Sequence, residues 1–436
     1  MTMSHDNLIT HLPIQLRADP SRVAIRPFVP ADDPIVLPSR PRPRAQRIVD
    51  RVLTLDGAAL QTELDYVSAN LADRHRDLEY VLRRRFHEVN GLLIEHCSFT
   101  EKQELLIGAY FSEEYAFEAA ALFNPSIVAH PDQTGVLAGE LRFILSLRAV
   151  GEGHISSVTF RTGVCGPDGA VTVDGPGLYA VAPRIENIPG GVPDDPGVRL
   201  FCKDSHSLSE TVIFPMTSNQ RHGIEDVRLV RFTDDDGNVT YYGTYTAFSG
   251  ETIRQELLRT TDFNTFELNA LRGEAANGKG MALFPRRIDG RYAMLGRQDH
   301  ENIWLLTSSD LYDWQDAGQI VVTPRWPWEF IQIGNGGSPI EIEEGWLVIT
   351  HGVGAVRNYC LGICLLDRDD PTRLLGRMTH PLFRTNAEQR YGYVPNVAYT
   401  CGAIVFGRTL FLPYAVADSY TTFATISLDQ LLLAME

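Results

Sequence analysis

The stretch MALFPRRIDGRYAMLGRQDHENIWLLTSSDLYDW, residues 281–314, decides the fold. Its first run, MALFPRRI, is apolar, and Asp289-Gly290 then turns the chain back into a second run, RYAMLGR. Asp-Gly between two such runs is the signature of a tight β-hairpin. A polar link leads to a third run, NIWLLTSS, and then to DLYDW, whose Trp314 is placed to plug the gap between neighbouring sheets. The same grammar recurs along the chain at roughly 40 to 50 residues, the spacing of repeated supersecondary units. Upstream lie NPSIVAH, LRFILSLRAV and ISSVTFRTG, then DVRLVRF, YYGTYTAF and LLRTTDFNTF. Downstream lie GSPIEIEEGWLVITHGV with YCLGICLLDRDDP, and NVAYTCGAIVFGRTLFLPYAV with TTFATISLDQLL. Five related units predict a mainly β chain folded as a five-bladed β-propeller, with ligands at a central funnel toward which the first strand of every unit points.

Ahead of the units the pattern changes. LQTELDYVSANLADRHRDLEYVLRRRF carries apolar residues at three- and four-residue spacing, so a helical extension is expected over 44–122. Its apolar stripes around Leu55, Leu64 and Leu82 predict self-association into a homo-oligomer, and the run Arg83-Arg84-Arg85 reads as a solvated face. Residues 1–43, with the Pro- and Arg-rich run Pro38 to Arg44, read as poorly ordered, which leaves 123–436 for the propeller. The Gly-, Pro- and Asp-rich region 164–221 exceeds the length of a link between units and is expected to be an insertion or lid near the funnel mouth.

Composition narrows the function. Across 436 residues the hydrophobic fraction is 44% and the charged fraction 22%, ordinary for a globular chain with a sizeable core. A formal net charge of -16 repels polyanions and anionic membranes, so neither nucleic acid nor a membrane is an expected partner. Any anionic substrate then needs a local basic pocket. The six cysteines show no CxxC pairs and no Cys/His ligand spacing, so reduced, buried thiols are expected and no metal is. The first twenty residues lack a basic start followed by an apolar run, and no window of about 18 apolar residues occurs later, so a cytoplasmic location is expected.

The segment HGIEDVR sets Glu225, Asp226 and Arg228 at the start of an inner strand. Neighbours on a strand face opposite ways, so one of the two acids should meet the ligand while the other is held by backbone or by Arg228. Polar residues recur at equivalent places in the units: Asn124, Arg148, Arg254, Lys279, Arg297, His351, Asn396 and Asp418. Together they describe a funnel with a few carboxylates among several cations. Inverting hydrolysis of a glycoside needs an acid plus a separate carboxylate base for water. Phosphorolysis needs one proton donor and a cationic cluster for phosphate, which fits this set better.

NPSIVAH, LSLRAV, GIEDVR, YYGTYTAF, KGMALFPRRIDGRYAMLGR, NIWLLTSSDLYDW, GWLVITHGV, LGICLLDRDDP, VPNVAYTCGAIV and YAVADS, in this order from about Asn124 to the last residue, resemble the mannoside phosphorylases and β-1,2-mannosidases of glycoside hydrolase family 130. The resemblance implies a five-bladed propeller and inverting cleavage of a β-mannoside, with phosphate as acceptor in most branches and water in some. It places the catalytic acid on Asp226, with Val227 where the family's EDPR motif has proline. It implies phosphate at Arg254, Lys279 and His351 and substrate at Asn124, Arg148 and Asp418; the recurring positions add Arg297 to the expected phosphate set and Glu225 and Asn396 to the substrate set. Gln332 stands in QIGNG where many phosphorylases carry lysine, which removes one cation. The expected reaction is phosphorolysis of an oligosaccharide to mannose 1-phosphate, with inorganic phosphate as co-substrate and no other cofactor. The alternatives are an inverting β-mannosidase, with Glu225 orienting water, and a carbohydrate-binding propeller without turnover.

Overall fold

A computed structural model describes residues 8–31, 33, 42–91, 98–188 and 197–436. Within them the chain is mainly β and divides into two compact units, one of residues 1–20, 117–176 and 183–436, the other of residues 21–116 and 177–182.

The larger unit consists of five antiparallel meanders in chain order, and the five sequence units fall on them. Ala121–Ala129, Leu141–Val150 and Ser156–Cys165 form the first sheet. Gly223–Thr233, Val239–Phe248, Ile253–Thr260 and Thr265–Ala270 form the second, joined to the first through one parallel bridge, Gly223 to Ser156. The third runs Lys279–Leu283, Tyr292–Arg297, Ile303–Ser308, Gln319–Val322. In the fourth, Gln332–Asn335 and Ile340–Ile342 both pair with Gly345–Val353, followed by Tyr359–Leu366 and Leu374–Arg377. In the fifth, Ala398–Tyr399 and Ile404–Phe406 both pair with Thr409–Val416, followed by Tyr420–Ser427.

Hydrogen bonds lace neighbouring sheets together. Leu229 N donates to Ser126 Oγ at 2.9 Å, Thr244 Oγ1 to the Met281 carbonyl, and Asn335 Nδ2 to the Gly280 carbonyl at 2.8 Å. The last sheet meets the first, because Cys401 N donates to the Pro125 carbonyl at 2.8 Å and Leu122 N to the Ser419 carbonyl at 3.1 Å. Val128, Leu229, Pro285, Ile340 and Ile404, one from the leading segment of each sheet, line a common cavity of about 340 Å³.

Between sheets the packing is apolar. Trp314 is fully buried among Val230, Tyr242 and Leu257 of the second sheet and Met281, Met294 and Leu306 of the third, with its indole N–H on the Leu311 carbonyl. The plug expected from DLYDW is therefore in place. Five cysteines among the described residues are free and buried, and burial raises each thiol, so they behave as small apolar groups. Cys97 lies outside the described residues.

Three expectations are corrected. Residues 1–43 are not uniformly loose: Ile9–His11 pairs with Tyr420–Ser427 as the outer strand of the fifth sheet, because Leu8 buries in that sheet's core and His11 Nδ1 meets Tyr414 Oη at 2.9 Å. Most of Pro38 to Arg44 lies outside the described residues, and Arg44 opens a helix. The boundary at 122/123 also shifts, since the helices end at Tyr110 and the first sheet begins at Ala121. The described residues of 164–221 lie largely along sheet edges rather than in the expected lid. Val171–Val173 and Val212–Ile213 pair with Ser156–Cys165, while Val198–Phe201 extends the second sheet beyond Thr265–Ala270. Val198, Leu200 and Ile213 bury with Phe160 and Phe266, and that apolar alternation is what draws the segment onto the sheet edges.

The smaller unit packs α1 (Arg44–Leu53), α2 (Gly57–Leu71), α3 (Leu78–Asn90) and α4 (Glu101–Tyr110) around Val49, Leu60, Leu64, Phe86 and Ile107. Asp56 caps α2, and Thr100 with Gln103 forms a capping box on α4. Leu64 and Leu82 are buried within this unit, so the stripe that suggested self-association is covered by the unit's own helices. The three arginines are tied locally, Arg85 to the Phe111 carbonyl and Arg83 and Arg84 to Glu104 and Glu88. No described helix is long and apolar enough to cross a membrane.

Replacing the buried Trp314 with Ala empties the seam between the second and third sheets. A loss of about 3–5 kcal/mol is expected for a buried Trp→Ala change. A urea midpoint unchanged from the parent would show that the seam does not depend on this ring.

Candidate active site

Three first strands carry the same irregularity. The pairing register slips between Phe123 and Ser126, between Glu225 and Arg228, and between Lys279 and Ala282. At each slip one residue is left-handed: Asn124 at φ 47°, Asp226 at φ 57° and Gly280 at φ 85°. These are β-bulges, and Gly, Asn and Asp are the residue types that tolerate the left-handed region. Asn396 and Asp418 in the fifth sheet are left-handed as well, at φ 59° and 46°.

A bulge breaks the alternation of a strand, and the expectation that Glu225 and Asp226 face opposite ways fails for that reason. Arg148 holds both, donating from Nη2 to Glu225 Oε1 at 2.8 Å and from Nη1 to Asp226 Oδ1 at 3.2 Å. Asn124 Nδ2 donates to the same Asp226 oxygen at 2.7 Å, and Lys279 Nζ reaches Glu225 Oε2 at 3.4 Å. Lys279 stands in register with Arg297 across the third sheet, and Arg297 Nη1 lies 3.4 Å from His351 Nε2. Polar contacts thus link Asp226 through Arg148 and Glu225 to Lys279, and a separate Arg297–His351 pair begins on the strand partner of Lys279.

Two glycines make room for Arg297. A Cβ at Gly280 would sit 2.5 Å from Arg297 Nε, and one at Gly334 would sit 2.7 Å from Arg297 Cδ and 2.5 Å from His351 Cε1. Arg297 Nε and His351 Nδ1 are buried polar atoms with no hydrogen-bond partner among the described residues. If His351 Nε2 accepts from Arg297, the Nδ1 proton is free to donate to a ligand. Burial, with Arg297 and Arg228 adding to it, holds this imidazole well below the ordinary histidine value, so it is neutral.

The carboxyls are pushed apart. Burial alone would raise Asp226, but Arg148, Arg228, the Asn124 amide and Lys279 outweigh it and hold the group below the usual carboxylate range. For Asp418, burial and the neighbouring Asp226 charge dominate; with Arg148 opposing and Glu225 adding, the group is pushed up to about 7. Carboxyls separated in this way divide the anionic and proton-bearing roles of a site.

The other expected residues fall nearby or further out. Asn396 precedes the leading strand of the fifth sheet, its carbonyl accepting from Tyr359 N at 3.1 Å, and Tyr359 stacks on His351 with ring centroids 5.9 Å apart. Arg254 is half-buried in the cross-strand row of Ile224 and Ala247, two strands from the bulge. The sequence singled out neither Tyr399 nor Asn335. Tyr399 is buried against His351, with centroids 4.9 Å apart, and burial pushes its hydroxyl up to about 12. Alternation of Val397, Tyr399 and Cys401 on one face was the available signal for it. Among the described residues no group of three or more His, Cys, Asp or Glu side chains is arranged to hold a metal ion.

The raised Asp418 carboxyl has a measurable cost. Its unfolded value is 3.8 and its folded value about 7, so it leaves stability intact below pH 3.8, withdraws it as pH rises through that window, and leaves a constant penalty above 7. Asp418→Asn is expected to be more stable than the parent at pH 8 by a few kcal/mol, since a tenfold change in proton affinity is worth about 1.4 kcal/mol. The gain should shrink toward pH 4, and unfolding midpoints that rise equally at both pH values would contradict it.

Comparison with known proteins identifies relatives of the chain. The sequence profile of glycoside hydrolase family 130, described as beta-1,4-mannooligosaccharide phosphorylase, matches residues 203–436. A beta-1,2-mannobiose phosphorylase of Listeria innocua is 30% identical over 243 residues, covering 54% of this chain and 67% of that protein. A 1,2-beta-oligomannan phosphorylase of Thermoanaerobacter sp. is 31% identical over 229 residues, covering 51% and 75%. Among solved structures, the Listeria innocua beta-1,2-mannobiose phosphorylase in complex with beta-1,2-mannobiose superposes with a TM-score of 0.50 at 22% identity, over 72% of this chain and 92% of that one. At that identity the likeness is one of fold. With its bulged carboxylate strand, its shared arginine and more than half its length matched by the profile, the chain belongs to glycoside hydrolase family 130.

Proposed function

We propose that the protein is an inverting phosphorylase that cleaves a β-mannoside with inorganic phosphate and releases mannose 1-phosphate. One observation carries the reading: the paired carboxylates on Arg148 reach Lys279, whose strand partner Arg297 begins the Arg297–His351 cluster. A sugar-facing acid site therefore adjoins an anion-binding one. The relatives named as mannobiose and oligomannan phosphorylases support the same reaction. We infer in addition that the five meanders are the blades of a β-propeller. The hydrogen bonds between neighbouring sheets, including those from the last sheet to the first, and the cavity lined by all five support it.

In this reading phosphate is held by Arg297, Lys279 and His351, with Arg254 as an outer cation. The sugar is held by Asn124, Arg148, Glu225, Asn396 and Asp418, where a protonated Asp418 donates to a hydroxyl. Asp226 protonates the leaving oxygen, directly or through a substrate hydroxyl, as phosphate attacks the anomeric carbon from the opposite face. In the free protein Asp226 is anionic. An anion bound beside Arg297 offsets part of the field that depresses it, and monohydrogen phosphate brings the one proton the reaction needs: the glycosidic C–O bond breaks, the C–O bond to phosphate forms, and the phosphate proton ends on the released alcohol by way of Asp226. Hydrolysis would require Glu225 as base, yet its two oxygens are taken by Arg148 and Lys279. A cytoplasmic setting and a homo-oligomeric state accompany this proposal.

Incubation with β-1,2-, β-1,3- and β-1,4-linked mannobiose, with and without phosphate, tests the reading. Mannose 1-phosphate should form only with phosphate; free mannose released at the same rate without it would establish a hydrolase. Asp226→Asn keeps the shape and removes the proton, so turnover should fall by roughly 10² to 10⁴. Arg297→Ala should raise the KM for phosphate by about ten- to a hundredfold, the worth of one charge-assisted contact, and leave that for the sugar nearly unchanged. The same rise in both constants would place phosphate elsewhere.

A further inference from the structure

A left-handed residue that carries a side chain persists only where its surroundings over-determine it. At Asp226 the carboxylate is aimed by Asn124 and Arg148, whose hydrogen bonds end on the side chain and leave the peptide to other groups. The peptide is held by Arg228, whose Nη1 donates to the Asp226 carbonyl at 3.3 Å. Arg228 is buried, 1% exposed, and is itself fixed across the axis. Its Nε donates to the Gly336 carbonyl of the fourth sheet at 2.8 Å, and its Nη2 to the Tyr399 hydroxyl of the fifth at 2.9 Å. The backbone is closely packed there, since a Cβ at Gly336 would lie 3.0 Å from the Thr400 carbonyl oxygen. One guanidinium thus ties the bulge to two other sheets.

We infer that Arg228 and Tyr399 are a positioning pair, which fixes the left-handed peptide of Asp226 and through it the place from which the carboxyl reaches the leaving oxygen. The kinetic part of this inference rests on the phosphorolysis reading; the geometric part does not. A planar fork is required because three acceptors in three sheets must be met at once, which a point cation cannot do. Tyr399 supplies the one acceptor that a substitution can delete cleanly. Its ring packs on His351 and on Tyr359, with centroids 6.4 Å apart for the latter, and Tyr399→Phe keeps both contacts while leaving a buried Arg228 donor unpaired.

Tyr399→Phe is therefore expected to lower kcat on mannobiose plus phosphate by roughly 10- to 100-fold, as misplacement of a reacting group does. The KM values for both substrates should stay within about threefold, because no binding group is removed. With 2,4-dinitrophenyl β-mannoside, whose leaving group needs no proton, the loss in kcat should be less than about threefold. Arg228→Lys, which keeps the charge and loses the fork, should show the same split. An unchanged kcat, or equal losses on both leaving groups, overturns the inference. A crystal structure of Tyr399→Phe gives a readout independent of the reaction: Asp226 should have moved from its left-handed conformation or from Asn124, and an unmoved Asp226 overturns the pair whatever the substrate proves to be. Turnover of the parent without phosphate overturns only the phosphorylase reading.

Discussion

An extended strand sends successive side chains to opposite faces, and five plain meanders would put at most every second residue of a first strand on the axis. The bulges at Asn124, Asp226 and Gly280 lift that restriction. Each inserts one left-handed residue, and at Asp226 this re-aims the side chain and lets the preceding Glu225 share the same side. Glu225 and Asp226 can then sit on one arginine, and the Gly280 turn opens the space Arg297 fills. The chemistry depends on this local break in pairing more than on any single charge.

The break is stabilised by electrostatics that run against the protein's global balance. The chain carries a formal charge of -16, yet Arg148, Arg228, Lys279 and Arg297 gather at one end of the first strands. Burying such cations is costly unless each is paired or hydrogen-bonded. Arg148 is offset by two carboxylates, Lys279 by Glu225, and Arg228 by two carbonyls and a phenol. Arg297 retains a buried Nε without a partner among the described residues, an exception to the rule that buried polar groups are paired.

The repeats were legible because their runs alternate and are bounded by turns such as Asp289-Gly290, so period and punctuation agree. The residue types of the site were legible too, since carboxylates, arginines and a histidine recur at equivalent places. Their grouping was not. Nothing in Glu225-Asp226-Val227 announces a bulge, and the alternation rule therefore separated two acids that share an arginine; the shared character of Asn124, Asp226 and Gly280 as left-handed-tolerant types was the overlooked signal. Tyr399 escaped notice because its partner Arg228 is 171 residues away in the chain. The segment 164–221 was misread because its strands are only two to four residues long and lie among Gly and Pro.

Ile9–His11 gives the fifth sheet its outer strand, with Ile9 opposite Ile426 and His11 opposite Ala424. For a chain made from its amino terminus onward, this pairing cannot form until Tyr420–Ser427 has been synthesised, so the earliest strand is the last to find its partner. The closure entropy grows only slowly with loop length, about 0.6 kcal/mol per doubling, so the final state loses little by it. The rate is a different matter, since contacts of such long range slow folding and leave open edges exposed meanwhile. Until that pairing forms, the Tyr420–Ser427 edge and the three-residue strand that covers it are therefore the parts most open to mispairing with another copy. A permuted chain that begins after Tyr115 and appends the present amino terminus behind Glu436 would turn this longest pairing into a local one.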